Sequence, residues 1–190
     1  MVVPPINHHR PSDAKRQEPM DGLSDLLVIT ASSRENLRMA EQIAAVARER
    51  ELVVELLDLT LVPLPLYNPR HHAAAGIPEA VSGLHRQLEA APRWLICAPE
   101  YNGSIPPVLS SAIAWLSVQG EDFRALFQGR PIALATHSGG PGLEMLAALR
   151  IQLAHLGATV VGRQLRTSGG NPLPEASINN VLEQLISLNL

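Results

Sequence analysis

Residues 94–116 read WLICAPEYNGSIPPVLSSAIAWL. An apolar run, Trp94–Ala98, gives way to a loop punctuated by Pro99, Gly103, Pro106 and Pro107. Leu109, Ala112, Ile113 and Leu116 then fall at the i, i+3, i+4, i+7 spacing of one helix face. A short continuous apolar run bounded by turn residues is a strand buried on both sides, and a proline at the loop's end opens a helix. The stretch therefore reads as strand, stiff loop and helix, the repeating half of a parallel α/β sheet.

The same alternation extends in both directions. Upstream, Leu26–Thr30 predicts a strand and Arg34–Arg50 a helix with Leu37, Ala40, Ala44 and Ala47 on its inner face. Leu52–Leu57 predicts a second strand, and Pro63, Pro65 and Pro69 a rigid irregular loop. Ile77-Pro78-Glu79 starts a helix that runs to about Ala91. Downstream, Ile132–Thr136 is a fourth strand, and Leu146, Leu149, Leu153 and Leu156 mark the next helix. A fifth strand lies near Thr159–Val161, and Ala176–Leu188 closes the chain as a helix. Five apolar strands separated by helices predict a doubly wound α/β domain, its parallel sheet covered on both faces. Ligands of such domains sit outside the carboxyl ends of the strands, near the switch in strand order. That directs attention to Ala31–Asn36, Pro99–Ser104 and His137–Gly142.

Composition narrows the chemistry. Lys15 is the one lysine of the 190 residues, so Schiff-base and Walker-A lysine chemistry would have to come from a polar N-terminal stretch. Net charge is −3, which leaves no positive field for nucleic acid or anionic lipid. The single Cys97 cannot form an internal disulfide and fits a reducing cytoplasm, and no Cys/His spacing resembles a metal site. No apolar run is long enough to span a bilayer, and residues 1–22 hold no apolar h-region, so they are not expected to be a secretory signal. Residues 1–23, rich in Pro, His and both charge signs, are expected to be a mobile or surface-draped extension before a domain at 24–190.

The first of the three loops runs from a strand into a helix, where free N–H groups and the positive end of the helix dipole meet an anion. Ser32 and Ser33 add hydroxyls, and Arg34 adds a planar fork suited to a phosphate monoester. The alternative is that Ser32 and Glu35 form a capping box and Arg34 is a solvated surface cation. The loop lacks both G-x-G-x-x-G and GK[ST], so neither a dinucleotide fingerprint nor a P-loop is present. In the second loop the prolines and Gly103 fix main-chain groups in place, which suits the polar rim of a heteroaromatic ring. In the third, His137 stands beside Ser138 without the G-x-S-x-G elbow of a hydrolase. The pairs His8-His9 and His71-His72 read as solvated loop histidines, Cys97 as a small core residue, and Trp115 as core or interface.

The stretch Ala98–Ser117, APEYNGSIPPVLSSAIAWLS, resembles the P-E-Y-N-x-S-x-P-x-x-L-K-N-A-I-D-W-L-S signature of the NADPH-dependent FMN reductase family of flavodoxin-like proteins. Leu64–Pro69 resembles that family's loop after the second strand, Ser138-Gly139-Gly140 its turn after the fourth, and Ser32 and Arg34 its G-S-x-R phosphate loop. Ser110-Ser111 replaces the usual Lys-Asn, Ala114 the usual Asp, and Ala31 the usual Gly. The resemblance spans about residues 25–165.

It implies a flavodoxin-like sheet of five parallel strands in the order 2-1-3-4-5. FMN and NAD(P)H are the implied cofactors, with hydride passing from nicotinamide to FMN and on to a flavin, quinone, azo compound or metal oxyanion. The alternative is a non-enzymatic flavin-binding or electron-carrier module. Flavin N5 would carry the chemistry, so no acid, base, nucleophile or metal is expected from the protein. Ser32, Ser33, Arg34 and Asn36 would hold the phosphate. Pro99, Glu100, Tyr101, Asn102, Gly103 and Ser104 would frame the ring, and Ser138, Gly139 and Gly140 would border it. A cytoplasmic homodimer or homotetramer is implied, with Ala112, Ile113, Trp115 and Leu116 as core or subunit contact.

Overall fold

The structure is a computed structural model that describes residues 24–188. The expectation for residues 1–23 lies outside the described residues. Five strands fall where the apolar runs place them: β1 (Leu26–Thr30), β2 (Val54–Asp58), β3 (Trp94–Cys97), β4 (Pro131–His137) and β5 (Thr159–Val160). They pair in parallel in the order β2-β1-β3-β4-β5, the flavodoxin-like doubly wound order. A sixth strand, β6 (Leu165–Thr167), had no signal in the sequence. It also pairs with β4, at Ala135–His137, while β5 pairs with Pro131 and Ile132. The two are therefore halves of one edge position, interrupted at 161–164. Arg150 holds the interruption open by donating to the carbonyls of Val160 (3.2 Å) and Val161 (2.7 Å).

The described residues form six α-helices: α1 (Glu35–Glu49), α2 (Pro69–Ala75), α3 (Glu79–Ala90), α4 (Pro107–Leu116), α5 (Leu143–His155) and α6 (Glu175–Ser187). Helix α2 stands inside the stretch expected to be irregular. Pro69 occupies its first turn, and the Asn68 side chain accepts from the N–H groups of Arg70 and His71, an N-cap that the Asn-Pro pair encodes.

Successive strand residues face opposite sides, and both sides are covered. Leu27, Ile29, Trp94, Ile96, Ile132 and Leu134 join the core under α3, α4 and α5. Leu26, Val28, Leu95, Cys97, Ala133 and Ala135 join the core under α1 and α6. The second layer is the finer-grained one, with Ala40, Ala44 and Ala47 of α1 set against the small residues of β3 and β4. Helix α1 is turned by about one residue from its expected face: Leu37 is half-buried, and Asn36 is inside at 2% exposure. Ala112, Ile113, Trp115 and Leu116 are all buried within the protomer, so they are core. At the amino end of the sheet Arg130 lies 4.7 Å over the Trp94 ring and donates to the carbonyls of Leu126 and Ala91.

Candidate functional site

The strand order reverses between β1 and β3, and the loops leaving β1, β2 and β3 open there into a cleft of about 710 Å³. One end is polar, lined by Ser32, Ser33 and Arg34. The walls are mostly apolar, from Leu59, Leu64 and Leu66 on the β2 side to Tyr101, Pro106, Pro107 and Val108 on the β3 side. Arg34 is the one formal charge among the lining residues.

The polar end is built by the turn after β1. Thr30 Oγ1 donates to the Ser32 carbonyl (2.9 Å) and accepts from the Ser32 N–H (3.3 Å), which folds the chain into α1. Ser32 Oγ accepts from the Arg34 N–H at 3.4 Å. The capping box is not formed, because Glu35 pairs instead with Arg38 at 2.6 Å. Arg34, as the N-cap residue, makes no side-chain cap, and its guanidinium has no partner among the described residues. The turn into α1 thus brings the Ser32 and Ser33 hydroxyls and an uncommitted guanidinium to the cleft, beside a helix start whose first N–H groups have no intrahelical partner.

Asn36 departs from its expected place. Its Nδ2 donates to the His137 carbonyl (2.9 Å) and its Oδ1 accepts from the His137 N–H (2.8 Å). The side chain faces away from the cleft and ties α1 to the end of β4, so its amide is spent on the fold rather than on an anion.

The second loop is a hairpin-like turn. Tyr101 and Ser104 exchange both main-chain hydrogen bonds at 3.0 Å, and Asn102 (φ 50°) with Gly103 (φ 73°) forms the two-residue tip. Two successive positive φ values define a type I′ turn, which Asn-Gly favours. The tip is solvent-exposed, and Tyr101, 55% exposed, stands at the cleft mouth. The base of the loop is anchored behind Pro99. The Glu100 N–H donates to Ser138 Oγ (3.2 Å), and its carboxylate accepts from the Met145 N–H (3.4 Å) in the first turn of α5. Glu100 therefore supplies the anion that caps a helix whose own N-cap, Gly142, has no side chain.

The third loop is placed differently from expectation. Ser138 is turned inward, 7% exposed, with its hydroxyl bonded to Thr136 Oγ1 at 3.1 Å. Gly139 and Gly140 are exposed, and none of the three lines the cleft. A Cβ on either glycine would meet nothing within 4 Å, whereas at Gly142 (φ +66°) it would lie 2.7 Å from Thr136 Cγ2 and 3.2 Å from Ser138 Oγ.

The β2-side wall escaped the reading of the sequence. Ser111 Oγ accepts from the Tyr67 N–H (2.7 Å) and donates to the Pro65 carbonyl (3.2 Å). Trp115 Nε1 donates to the same carbonyl at 2.8 Å. Positions 111 and 115 are one helical turn apart on α4, and this i, i+4 spacing of two donors below a proline-rich loop was the available signal. The Tyr67 and His72 rings meet the Trp115 indole with centroids 5.0 and 5.7 Å away. His71 and His72 thus lie on α2 and pack at Trp115, and no group of metal-binding side chains occurs among the described residues. Cys97 is fully buried, and burial pushes its thiol pKa far above the ordinary range.

A family model described as NADPH-dependent FMN reductase matches residues 24–171. An NAD(P)H-dependent FMN reductase of Pseudomonas aeruginosa is 39% identical over 87 residues, 46% of this chain and 44% of that protein. A quinone reductase of Escherichia coli K12 is 33% identical over 106 residues, 55% of each. The chain thus spans about half the length of the curated relatives it matches. Among solved structures, the flavoenzyme NAD(P)H:(acceptor) oxidoreductase FerB of Paracoccus denitrificans superposes with a TM-score of 0.71 at 21% identity, over 88% of this chain and all of that one. At that identity the likeness is one of fold.

Proposed function

This chain belongs to the NADPH-dependent FMN reductase family, and on that premise we propose that it binds FMN in the cleft and passes hydride from NAD(P)H through it to a small-molecule acceptor. The observation that carries the proposal is the donor set at the polar end. Two hydroxyls and one free guanidinium at the start of a helix suit a phosphate monoester, and they adjoin walls of Leu and Pro side chains. When bound, FMN supplies the hydride-accepting chemistry, and the protein binds, orients and excludes water.

Ser32, Ser33 and Arg34 hold the phosphate on this reading. Leu64, Leu66, Pro106 and Pro107 cover the ring's apolar surface, and the Tyr101–Ser104 turn with Pro99 fixes its polar edge. Gly139 and Gly140, which lie outside the cleft lining, are kept at the ring's border on the family's pattern alone. Ser138, Glu100 and Asn36 act through the loops they hold. A quinone is the favoured acceptor class, because a relative carries that activity in its name and Leu and Pro side chains wall the cleft.

An electron carrier of the flavodoxin type is the weaker reading. Such a carrier clamps the flavin between aromatics, and Tyr101 is the lone aromatic lining the cleft, with the Tyr67 ring packed on Trp115. We also infer a homodimer or homotetramer in the cytoplasm, with domain boundary at residue 24. The exposed apolar residues at the cleft mouth, Leu66 (68%) and Tyr101 (55%), support a partner surface there, and light scattering that returned a monomer would contradict it. No helix among the described residues is long and apolar enough to cross a membrane.

Titration of the wild type and Arg34→Ala with FMN and with riboflavin tests the assignment. An exposed charge-assisted contact contributes about 1.5 kcal/mol, so the variant should bind FMN roughly ten-fold more weakly and riboflavin as before. Equal losses for both ligands would remove the phosphate from Arg34.

A further inference from the structure

We propose that Thr136, on the strand beneath the third loop, is the positioning residue that sets the flavin-framing turn over the cleft, acting through Ser138 and Glu100. The proposal rests on the FMN reading above.

Its basis is a missing rung in the sheet. Strands β3 and β4 stay paired as far as the Ala98 N–H, which donates to the Ala135 carbonyl at 3.0 Å. In a parallel ladder the next bond would run from the His137 N–H to the Ala98 carbonyl. Instead the His137 N–H goes to Asn36 Oδ1 (2.8 Å), and the Ala98 carbonyl accepts from Thr136 Oγ1 (2.6 Å). Each half of the lost rung is therefore satisfied by a side chain, at the point where the strands part to form the site.

The proton order along the remaining contacts is fixed by what each group can do. A carbonyl only accepts, so the Thr136 hydroxyl hydrogen is spent on Ala98. A main-chain N–H only donates, so Ser138 Oγ accepts from Glu100 (3.2 Å). The contact between the two hydroxyls, at 3.1 Å, must then run from Ser138 to Thr136. The result is a directed chain, Glu100 N–H to Ser138 to Thr136 to the Ala98 carbonyl. Its two hydroxyl residues are 1% and 7% exposed, where such bonds reinforce one another and an orphaned group is costly. Glu100 is held a second time by its carboxylate on Met145, and Tyr101 follows it directly. The orientation of the turn is thus settled by a hydroxyl outside the cleft.

Thr136 uses both branches of its side chain. The methyl group fills the space that a Cβ on residue 142 would need, 2.7 Å away. Thr136→Val keeps that shape and removes the chain, and Thr136→Ser keeps the chain and removes the methyl.

The test compares these two variants with the wild type by hydrogen exchange of the Glu100 amide in FMN-free protein, by FMN titration, and by the visible absorption of bound flavin. Thr136→Val should speed Glu100 exchange, weaken FMN on the order of ten-fold and shift the flavin band, and Thr136→Ser should restore all three toward wild type. Should Thr136→Val fold poorly, Ser138→Ala breaks the same chain one step earlier and should give the same pattern. Unchanged Glu100 exchange, or wild-type FMN affinity and spectrum in Thr136→Val, would overturn the proposal. A wild-type protein that binds no FMN would overturn the functional reading first and this role with it.

Discussion

The β2-side wall of the cleft hangs on one carbonyl with two donors, and that geometry makes a quantitative prediction. Pro65 O accepts from Ser111 Oγ at 3.2 Å and from Trp115 Nε1 at 2.8 Å. Ser111→Ala removes one donor and also strips the Tyr67 N–H of its acceptor at 2.7 Å. Tyr67 is half-buried, so water can reach the freed group, and the loss should be about 1 kcal/mol. Trp115→Phe removes the second donor together with part of a fully buried ring, for about 2 kcal/mol. In either single variant Pro65 O keeps one partner. In the double variant it keeps none, so the combined loss should exceed the sum by roughly 0.5–1 kcal/mol. For a chain of this size each kcal/mol lowers Tm by about 2–4 °C. Thermal and urea unfolding of the four proteins give the cycle, and limited proteolysis between residues 60 and 68 should follow it. Additivity to within about 0.3 kcal/mol would refute the shared-acceptor account of this wall.

Other substitutions test the remaining contacts. Gly142→Ala places a methyl 2.7 Å from Thr136 Cγ2 at a left-handed φ and should cost about 3 kcal/mol in urea unfolding, while Gly139→Ala, with nothing within 4 Å, should stay within about 0.5 kcal/mol of wild type. Asn36→Ala leaves the His137 N–H and carbonyl without their partners at 2.8 and 2.9 Å and should destabilise by about 2–4 kcal/mol, measured the same way. The Cys97 thiol has its folded pKa raised by burial, so it remains neutral in the folded state while the unfolded chain ionises above about pH 8.5. Its contribution is complete below that pH and declines as pH rises, so unfolding free energy should fall through the alkaline range in the wild type and less steeply in Cys97→Ala.

What the sequence revealed and what it hid follow from the range of the interactions. Strands β1, β3 and β4 were legible because burial on both faces demands unbroken apolar runs, and α4 because a single buried face imposes the helical period on Leu109, Ala112, Ile113 and Leu116. The Asn-Gly turn could also have been read locally, as both residues accept positive φ. Strand β6 was hidden because its three residues gain their pairing from β4 and from a break held by Arg150, neither of which marks the local pattern. Asn36 and Ser138 lay in the right loops, yet their side chains point to partners 101 and 38 residues away, and short polar residues look alike whether they face a ligand or the fold. The i, i+4 spacing of Ser111 and Trp115 marks two donors on one face of α4, but the loop they hold, at Pro65 and Tyr67, is set by the tertiary fold.

The central claim is that the cleft holds FMN for reduction by a nicotinamide, and anaerobic mixing of the FMN-loaded protein with NADPH or NADH tests it most directly. The account predicts that the oxidised-flavin absorbance is lost on mixing with one or both nicotinamides and returns when a quinone is added. Protein saturated with FMN whose flavin stays oxidised in the presence of both nicotinamides would contradict it.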